Sequence, residues 1–253
     1  MTKRSFKQRI RSGSPALGTL VTVGSPAVVE ALSMTGLDWL FIDLEHGALG
    51  IETAEDLVRA VRGDCYTLVR IPENSPVWIH KALDIGCDGL IVPQVCSEAE
   101  AWRAVEHATY PPLGGRSVGV ARAHGYGLNF AQYVANANEQ LSLIIQIEHI
   151  SAVRNLAGIL DVPGIDGVLI GPYDLSGSMN VLGQVDHPAV QEAMAAIRVA
   201  CTEREIPFGV FVLDRESVPA ALATGVSFLA VGTELSFMCN GAMAVIETAR
   251  NVS

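Results

Sequence analysis

Near-continuous runs of Val, Ile and Leu recur along the chain at residues 16–23, 39–45, 66–71, 89–95, 141–148, 167–171, 207–213 and 228–232. Runs that do not alternate with polar residues predict strands buried on both faces, as in a parallel sheet. Between them, apolar residues repeat at helical spacing over 26–35, 51–62, 76–85, 97–107, 151–160, 188–205 and 215–223, with a last segment at 235–249. Eight strand–helix units predict a single closed (β/α)8 TIM barrel rather than an open sheet. The doubly wound alternative would place a glycine-rich turn after the first strand, and Gly24-Ser-Pro-Ala is not one.

Punctuation agrees with this reading. Ser25-Pro26 and Ser75-Pro76 each set a capping residue before a proline at the first helical position. Asp38, Asp88 and Asp166 precede the second, fourth and sixth strands in similar pieces, and predict structural turns at the bottom of the barrel. The one long irregular stretch, 110–130, is rich in Gly, Pro and Arg, and loops of that length often carry function.

The length of 253 residues suits one barrel domain, 1–253, and a hydrophobic fraction of 49% suits one large core. No apolar run approaches the roughly 20 residues of a membrane span. The basic start has no apolar segment behind it, which argues against a signal peptide. Five scattered cysteines without a Cys-x-x-Cys pair fit the cytoplasm. A net charge of −10 without a basic run excludes nucleic acid and anionic membrane as expected partners.

Barrel enzymes build their sites at the carboxyl ends of the strands. Those ends supply Glu45 and His46, Arg70, Gln94, Gln146 with Glu148, Asp174, and Thr233 with Glu234. Taken singly, each also has a structural reading: a helix-entry acid, an ion-pair arginine, a loop histidine, a turn aspartate. Their convergence points to chemistry. Two acids, Glu148 and Asp174, without cysteine or paired histidine ligands nearby predict a hard divalent cation, Mg2+ or Mn2+ first and Co2+ or Zn2+ as alternatives. A 2-oxo acid could complete its shell, with Arg70 at the developing oxyanion and His46 as base. The three lysines, 3, 7 and 81, lie away from the strand ends and leave an imine mechanism without a nucleophile.

The pieces Phe41-Ile-Asp-Leu-Glu-His-Gly47, Leu68-Val-Arg-Ile-Pro72, Ala82-Leu-Asp-Ile-Gly86, Leu90-Ile-Val-Pro-Gln94, Gln146-Ile-Glu148 and Gly171-Pro-Tyr-Asp-Leu-Ser176 resemble, in order, the HpcH/HpaI family of metal-dependent, pyruvate-forming aldolases. The resemblance implies a barrel of the phosphoenolpyruvate/pyruvate-binding type that cleaves a 4-hydroxy-2-oxo acid to pyruvate and an aldehyde. It implies Glu148 and Asp174 as metal ligands, and Arg70 and Gln146 at the substrate. It also implies backbone amides around Tyr173 and Asp174 at the substrate carboxylate, and a catalytic His46 partnered by Asp84. A homo-oligomer, a hexamer that often exchanges its last helix (about 235–249), is implied as well. Arg116 and Arg122 would meet an acidic substrate tail or a neighbouring subunit. Tyr173 stands where a smaller residue is common, and Asn180 where glycine is. The alternatives are oxaloacetate decarboxylation or an enolate-trapping synthase on the same barrel, and a non-catalytic oligomeric barrel. A phosphate-binding isomerase would want an anion site that Leu213-Asp-Arg-Glu does not offer.

Overall fold

The computed structural model describes residues 3–251. Eight parallel strands, β1 (Ala16–Val21), β2 (Trp39–Asp43), β3 (Tyr66–Arg70), β4 (Gly89–Val92), β5 (Ser142–Ile147), β6 (Gly167–Ile170), β7 (Phe208–Val212) and β8 (Phe228–Thr233), close on one another in sequence order. The helices are α1 (Phe6–Ile10), α2 (Pro26–Ser33), α3 (Ile51–Ala60), α4 (Pro76–Asp84), α5 (Glu98–Ala108), α6 (Phe130–Gln140), α7 (Ile150–Arg154), α8 (Leu156–Leu160), α9 (Pro172–Ser178), α10 (Pro188–Glu203), α11 (Val218–Ala223) and α12 (Glu234–Asn251). All eight expected strands form. The expected helix over 151–160 is two short ones, α7 and α8, broken at Asn155, whose side chain is drawn off to donate to the Cys96 carbonyl at 2.9 Å.

Two apolar layers follow from the strand alternation. Residues pointing outward, such as Leu40, Ile42, Val69 and Ile145, pack beneath the helices. Those pointing inward, among them Trp39, Phe41, Leu68, Ile144, Leu169 and Phe228, fill the barrel. Gly18 makes this filling possible, because a Cβ there would lie 2.5 Å from the Trp39 carbonyl oxygen and 2.6 Å from its indole.

The amino-terminal rim is closed by α1, which the hydrophobic pattern does not announce. Phe6 is fully buried against Trp39, Tyr66 and Phe228, with ring centroids 5.5, 5.6 and 5.9 Å away. Around this plug the three aspartates expected to be structural act alike. Asp38, Asp88 and Asp166 accept the backbone N–H of Leu17, Thr67 and Leu143 at 2.8, 2.8 and 2.9 Å, each bridging to the start of the preceding strand. Each also meets a cation from the amino-terminal segment: Arg9 with Asp38 at 2.9 Å, Lys3 with Asp88 at 3.4 Å, Lys7 with Asp166 at 3.3 Å. The basic start of the sequence is therefore a clasp across the barrel floor.

One local expectation needs correction. Ser25 and Ser75 stand at the N-caps, with proline at the next position, but neither side chain makes a capping hydrogen bond. The proline ring alone sets those helix starts. The 110–130 segment joins α5 to β5 through α6 and so lies towards the amino-terminal rim, away from the strand ends of its own chain.

Candidate active site

At the carboxyl ends of the strands a cavity of about 320 Å³ opens, with Asp43, His46, Arg70, Gln146 and Asp174 in its wall. The pairing register explains its floor. Asp43 and Arg70 are direct neighbours on β2 and β3, so their side chains rise together from the barrel interior. Asp43 accepts from Arg70 Nε at 2.8 Å and from the Nη2 amine at 2.7 Å, a bidentate pair in which both side chains are buried. Arg70 also lies 3.2 Å from Glu45 Oε2, donates to Gln146 Oε1 at 3.4 Å and stacks over Phe41. Asp43 has no role in the sequence expectation, since an acid inside an apolar run reads as a strand residue. The signal for it is alternation, which puts Phe41, Asp43 and Glu45 on one face.

Glu148 follows β5 and is buried. Its Oε1 accepts the Gln94 backbone N–H at 2.8 Å, and its Oε2 accepts a short hydrogen bond from the Gln146 side-chain amide. Gln94 bridges to a second acid, its side-chain amide donating to Glu45 Oε1 at 3.0 Å. It does so from a left-handed backbone, φ 56°, which a glutamine adopts only under local constraint. Burial pushes the Glu148 carboxyl up to about 7, and the negative charges of Glu45 and Asp174 push the same way against the two hydrogen bonds. Glu45 is also raised, by burial first, with Arg70 opposing. Its Oε2 is buried and receives no hydrogen bond.

Asp174 sits in the first turn of α9 and joins Glu45, His46, Gln94 and Glu148 in an adjoining cleft. His46 is mostly exposed at the mouth, its Nε2 4.0 Å from Glu45. Tyr173 lines the outer cavity. Thus His46, Arg70, Gln146, Glu148, Tyr173 and Asp174 are brought together. Asp84 is not. It ends α4, at the amino-terminal rim, and pairs with Arg116 at 2.9 Å. The 110–130 arginines are likewise occupied there, Arg116 by Asp84 and the Tyr133 hydroxyl, and Arg122 by the Ile85 carbonyl at 2.7 Å. Within one chain they line neither cleft. Glu234, the first residue of α12, lines neither of them. Its Oε1 accepts from the Thr22 and Val23 backbone amides at 2.8 and 2.6 Å and holds the loop after β1.

A divalent cation fits this donor set. Glu45, Glu148 and Asp174 converge in one cleft beside an arginine that Asp43 already engages, and Glu45 Oε2 is ion-paired with that arginine at 3.2 Å but accepts no hydrogen bond. Among the described residues no group of three or more His, Cys, Asp or Glu is placed to hold a metal ion together. Glu148 and Asp174 would supply two carboxylates, as suits a hard ion that shares its shell with water and substrate.

The sequence model of the HpcH/HpaI aldolase/citrate lyase family matches residues 18–241. The chain is 36% identical over 245 residues to the 4-hydroxy-2-oxo-heptane-1,7-dioate aldolase of Shigella flexneri, covering 96% of this chain and 92% of that protein. Among solved structures, a HpcH/HpaI aldolase/citrate lyase family protein from Burkholderia cenocepacia J2315 superposes with a TM-score of 0.92 at 30% identity, covering 96% of this chain and 98% of that one. The HpcH/HpaI aldolase from Desulfitobacterium hafniense DCB-2 gives 0.88 at 30% identity, covering 98% and 97%.

Proposed function

The chain belongs to the HpcH/HpaI aldolase/citrate lyase family, and from that premise we propose that it is a divalent-metal-dependent aldolase cleaving a 4-hydroxy-2-oxo acid to pyruvate and an aldehyde. One observation carries this reading: a buried Glu148, in one cleft with Glu45 and Asp174, lies near an arginine fixed by its own buried aspartate.

Glu148 and Asp174 would hold the ion, Mg2+ or Mn2+ by their oxygen donors, with Co2+ or Zn2+ as alternatives. When bound, it supplies positive charge beside the keto and carboxylate oxygens of the substrate. The chain's own residues do the rest. Arg70, immobilised by Asp43, keeps part of its guanidinium edge for the keto oxygen, where negative charge grows as the C3–C4 bond breaks. Gln146 is held between Arg70 and Glu148 and fixes both. The Tyr173 and Asp174 amides, in a first helical turn without intrahelical acceptors, receive the substrate carboxylate. His46, at the mouth, takes the C4 hydroxyl proton.

Asp84 meets His46 only across an interface between two copies of the chain. A homo-oligomer, a hexamer by resemblance, is supported by α12, an 18-residue helix whose one buried residue is Glu234. It leaves Phe237, Met238, Met243, Val245 and Ile246 exposed, as an exchanged helix would. No described helix is long and apolar enough to cross a membrane, and with all five cysteines free we assign the enzyme to the cytoplasm.

The test is pyruvate release from a panel of 4-hydroxy-2-oxo acids, coupled to NADH oxidation by lactate dehydrogenase, with and without chelator, on wild type and Glu148→Gln. Chelator and substitution should each abolish turnover. Activity that survives both sinks the reading.

A further inference from the structure

Both oxygens of Glu148 are held, and the two contacts belong to one closed ring. The Gln146 side-chain amide donates to Oε2, and Gln146 Oε1 accepts from Arg70 Nη1 at 3.4 Å. Arg70 Nε lies 3.2 Å from Glu45 Oε2, and Glu45 Oε1 accepts from the Gln94 side-chain amide at 3.0 Å. The Gln94 backbone N–H then donates to Glu148 Oε1 at 2.8 Å and closes the circuit within one chain. Gln94 alone enters it through main chain and side chain at once, and its backbone is what allows this. Four non-glycine residues among those described have a left-handed backbone. Tyr126, Asn180 and Glu205 each stand two residues past the end of a helix or 3-10 turn, where that conformation is an ordinary way to stop. Gln94 instead stands two residues past β4, whose pairing with β5 runs as far as Val92 and Ile145. Pro93 has no N–H to offer, and the φ of 56° at Gln94 aims the first amide beyond the ladder at a carboxylate.

We propose, resting on the aldolase reading above, that Gln94 is a positioning residue with two arms: its left-handed backbone presets Glu148 for the metal ion, and its side chain holds Glu45 against Arg70. A carboxylate fixed at both oxygens loses little freedom when it takes an ion, so the first arm adds affinity without adding a ligand. The second arm acts on the organic half of the site. Glu45, tethered at Oε1, keeps its other oxygen beside Nε of the arginine assigned to the keto oxygen. A backbone that glutamine adopts only under constraint is kept at this one strand end because both arms depend on it.

Mn2+ alone separates the arms when it is titrated into the chelator-treated full chain and the free ion is read by electron paramagnetic resonance. Gln94→Gly should bind it within about threefold of wild type, since glycine takes a left-handed backbone without cost and keeps the N–H. Gln94→Val should bind it about tenfold or more weakly, because a β-branched residue resists that backbone and withdraws the N–H from Glu148. Gln94→Met keeps an unbranched chain without the amide. It should bind Mn2+ like wild type yet lower kcat for pyruvate release at saturating Mn2+ by about fivefold, as one lost hydrogen bond would. Gln94 is exposed, so none of these changes opens the core, and circular dichroism checks that each variant folds. Wild-type Mn2+ affinity in Gln94→Val, or equal weakening in Gln94→Gly and Gln94→Val, overturns the backbone arm. Full kcat in Gln94→Met overturns the side-chain arm. Glu148→Gln binding Mn2+ as tightly as wild type overturns the metal site of the aldolase reading and this inference together. Loss of binding in Glu148→Gln with none in Gln94→Val overturns the inference alone.

Discussion

Replacing Glu148 by glutamine should make the metal-free protein more stable at alkaline pH while abolishing its turnover. Glu148 ionises near 7 in the folded chain against an ordinary value of 4.5. Between those values the folded state holds a proton that the unfolded chain has released, so stability falls as pH rises through that window and levels off above it. With both states ionised the cost to the folded state is about 3 kcal/mol. Glutamine removes that cost and can still accept from the Gln94 amide. It also turns an amide towards the Gln146 amide, a mismatch of about 1 kcal/mol. The net gain is about 2 kcal/mol at pH 8, or roughly 4–8 °C in Tm for a chain of this size. The gain should fall to zero at about pH 5 and turn into a loss below it, where the mismatch alone remains. Thermal unfolding by circular dichroism in chelator, at pH 5 and pH 8, measures the difference, and Mn2+ added at about 100 times its Kd should raise wild type alone by about 2.7 kcal/mol. A variant no more stable than wild type at pH 8, or equally stabilised by Mn2+, would refute the assignment of Glu148 as a desolvated ligand.

Arg70→Lys should lower kcat by about a hundredfold or more, because an ammonium cannot hold Asp43 bidentately and still face a keto oxygen; full turnover in the pyruvate assay would remove Arg70 from the mechanism. Gly171→Ala should weaken Mn2+ binding, read by electron paramagnetic resonance, since its Cβ would fall 2.8 Å from the Glu148 Cβ and 3.1 Å from Oε2. Unchanged affinity there would mean that Glu148 is free to move. Phe6→Ala should cost about 3–5 kcal/mol in urea unfolding yet leave KM unaltered at temperatures where the fold persists, because the plug sits at the opposite rim. A shifted KM would show the two rims to be coupled.

The strands were legible because a parallel strand covered on both sides leaves an unbroken apolar run. So were the site residues that project from strand ends into one mouth. Two kinds of feature were not. Helix α1 has five residues, too short for periodicity, and its role depends on three aspartates distant in sequence. Asp43 belongs to the site through strand register, which no local pattern carries. The rim on which the 110–130 segment lies was not read from the sequence, although chain direction alone supplies it. A connection between a helix and the following strand runs along the amino-terminal rim, so its arginines and Asp84 face away from the strand ends of their own chain.

The two rims set a standard for telling a structural acid from a functional one. At the amino-terminal rim Asp38, Asp88 and Asp166 each receive a backbone N–H and a cation, one for one. At the carboxyl rim Asp43, Glu45 and Glu148 share Arg70 among three, and Asp174 lines the same cavity. A raised carboxyl pKa does not separate the two sets, because burial raises Asp166 as well. Charge balance does. The amino-terminal acids are neutralised by the chain itself and need nothing more to fold. The surplus at the other rim is tolerable only with a proton on Glu148 or a cation beside it, and it is this choice that pH and metal should control.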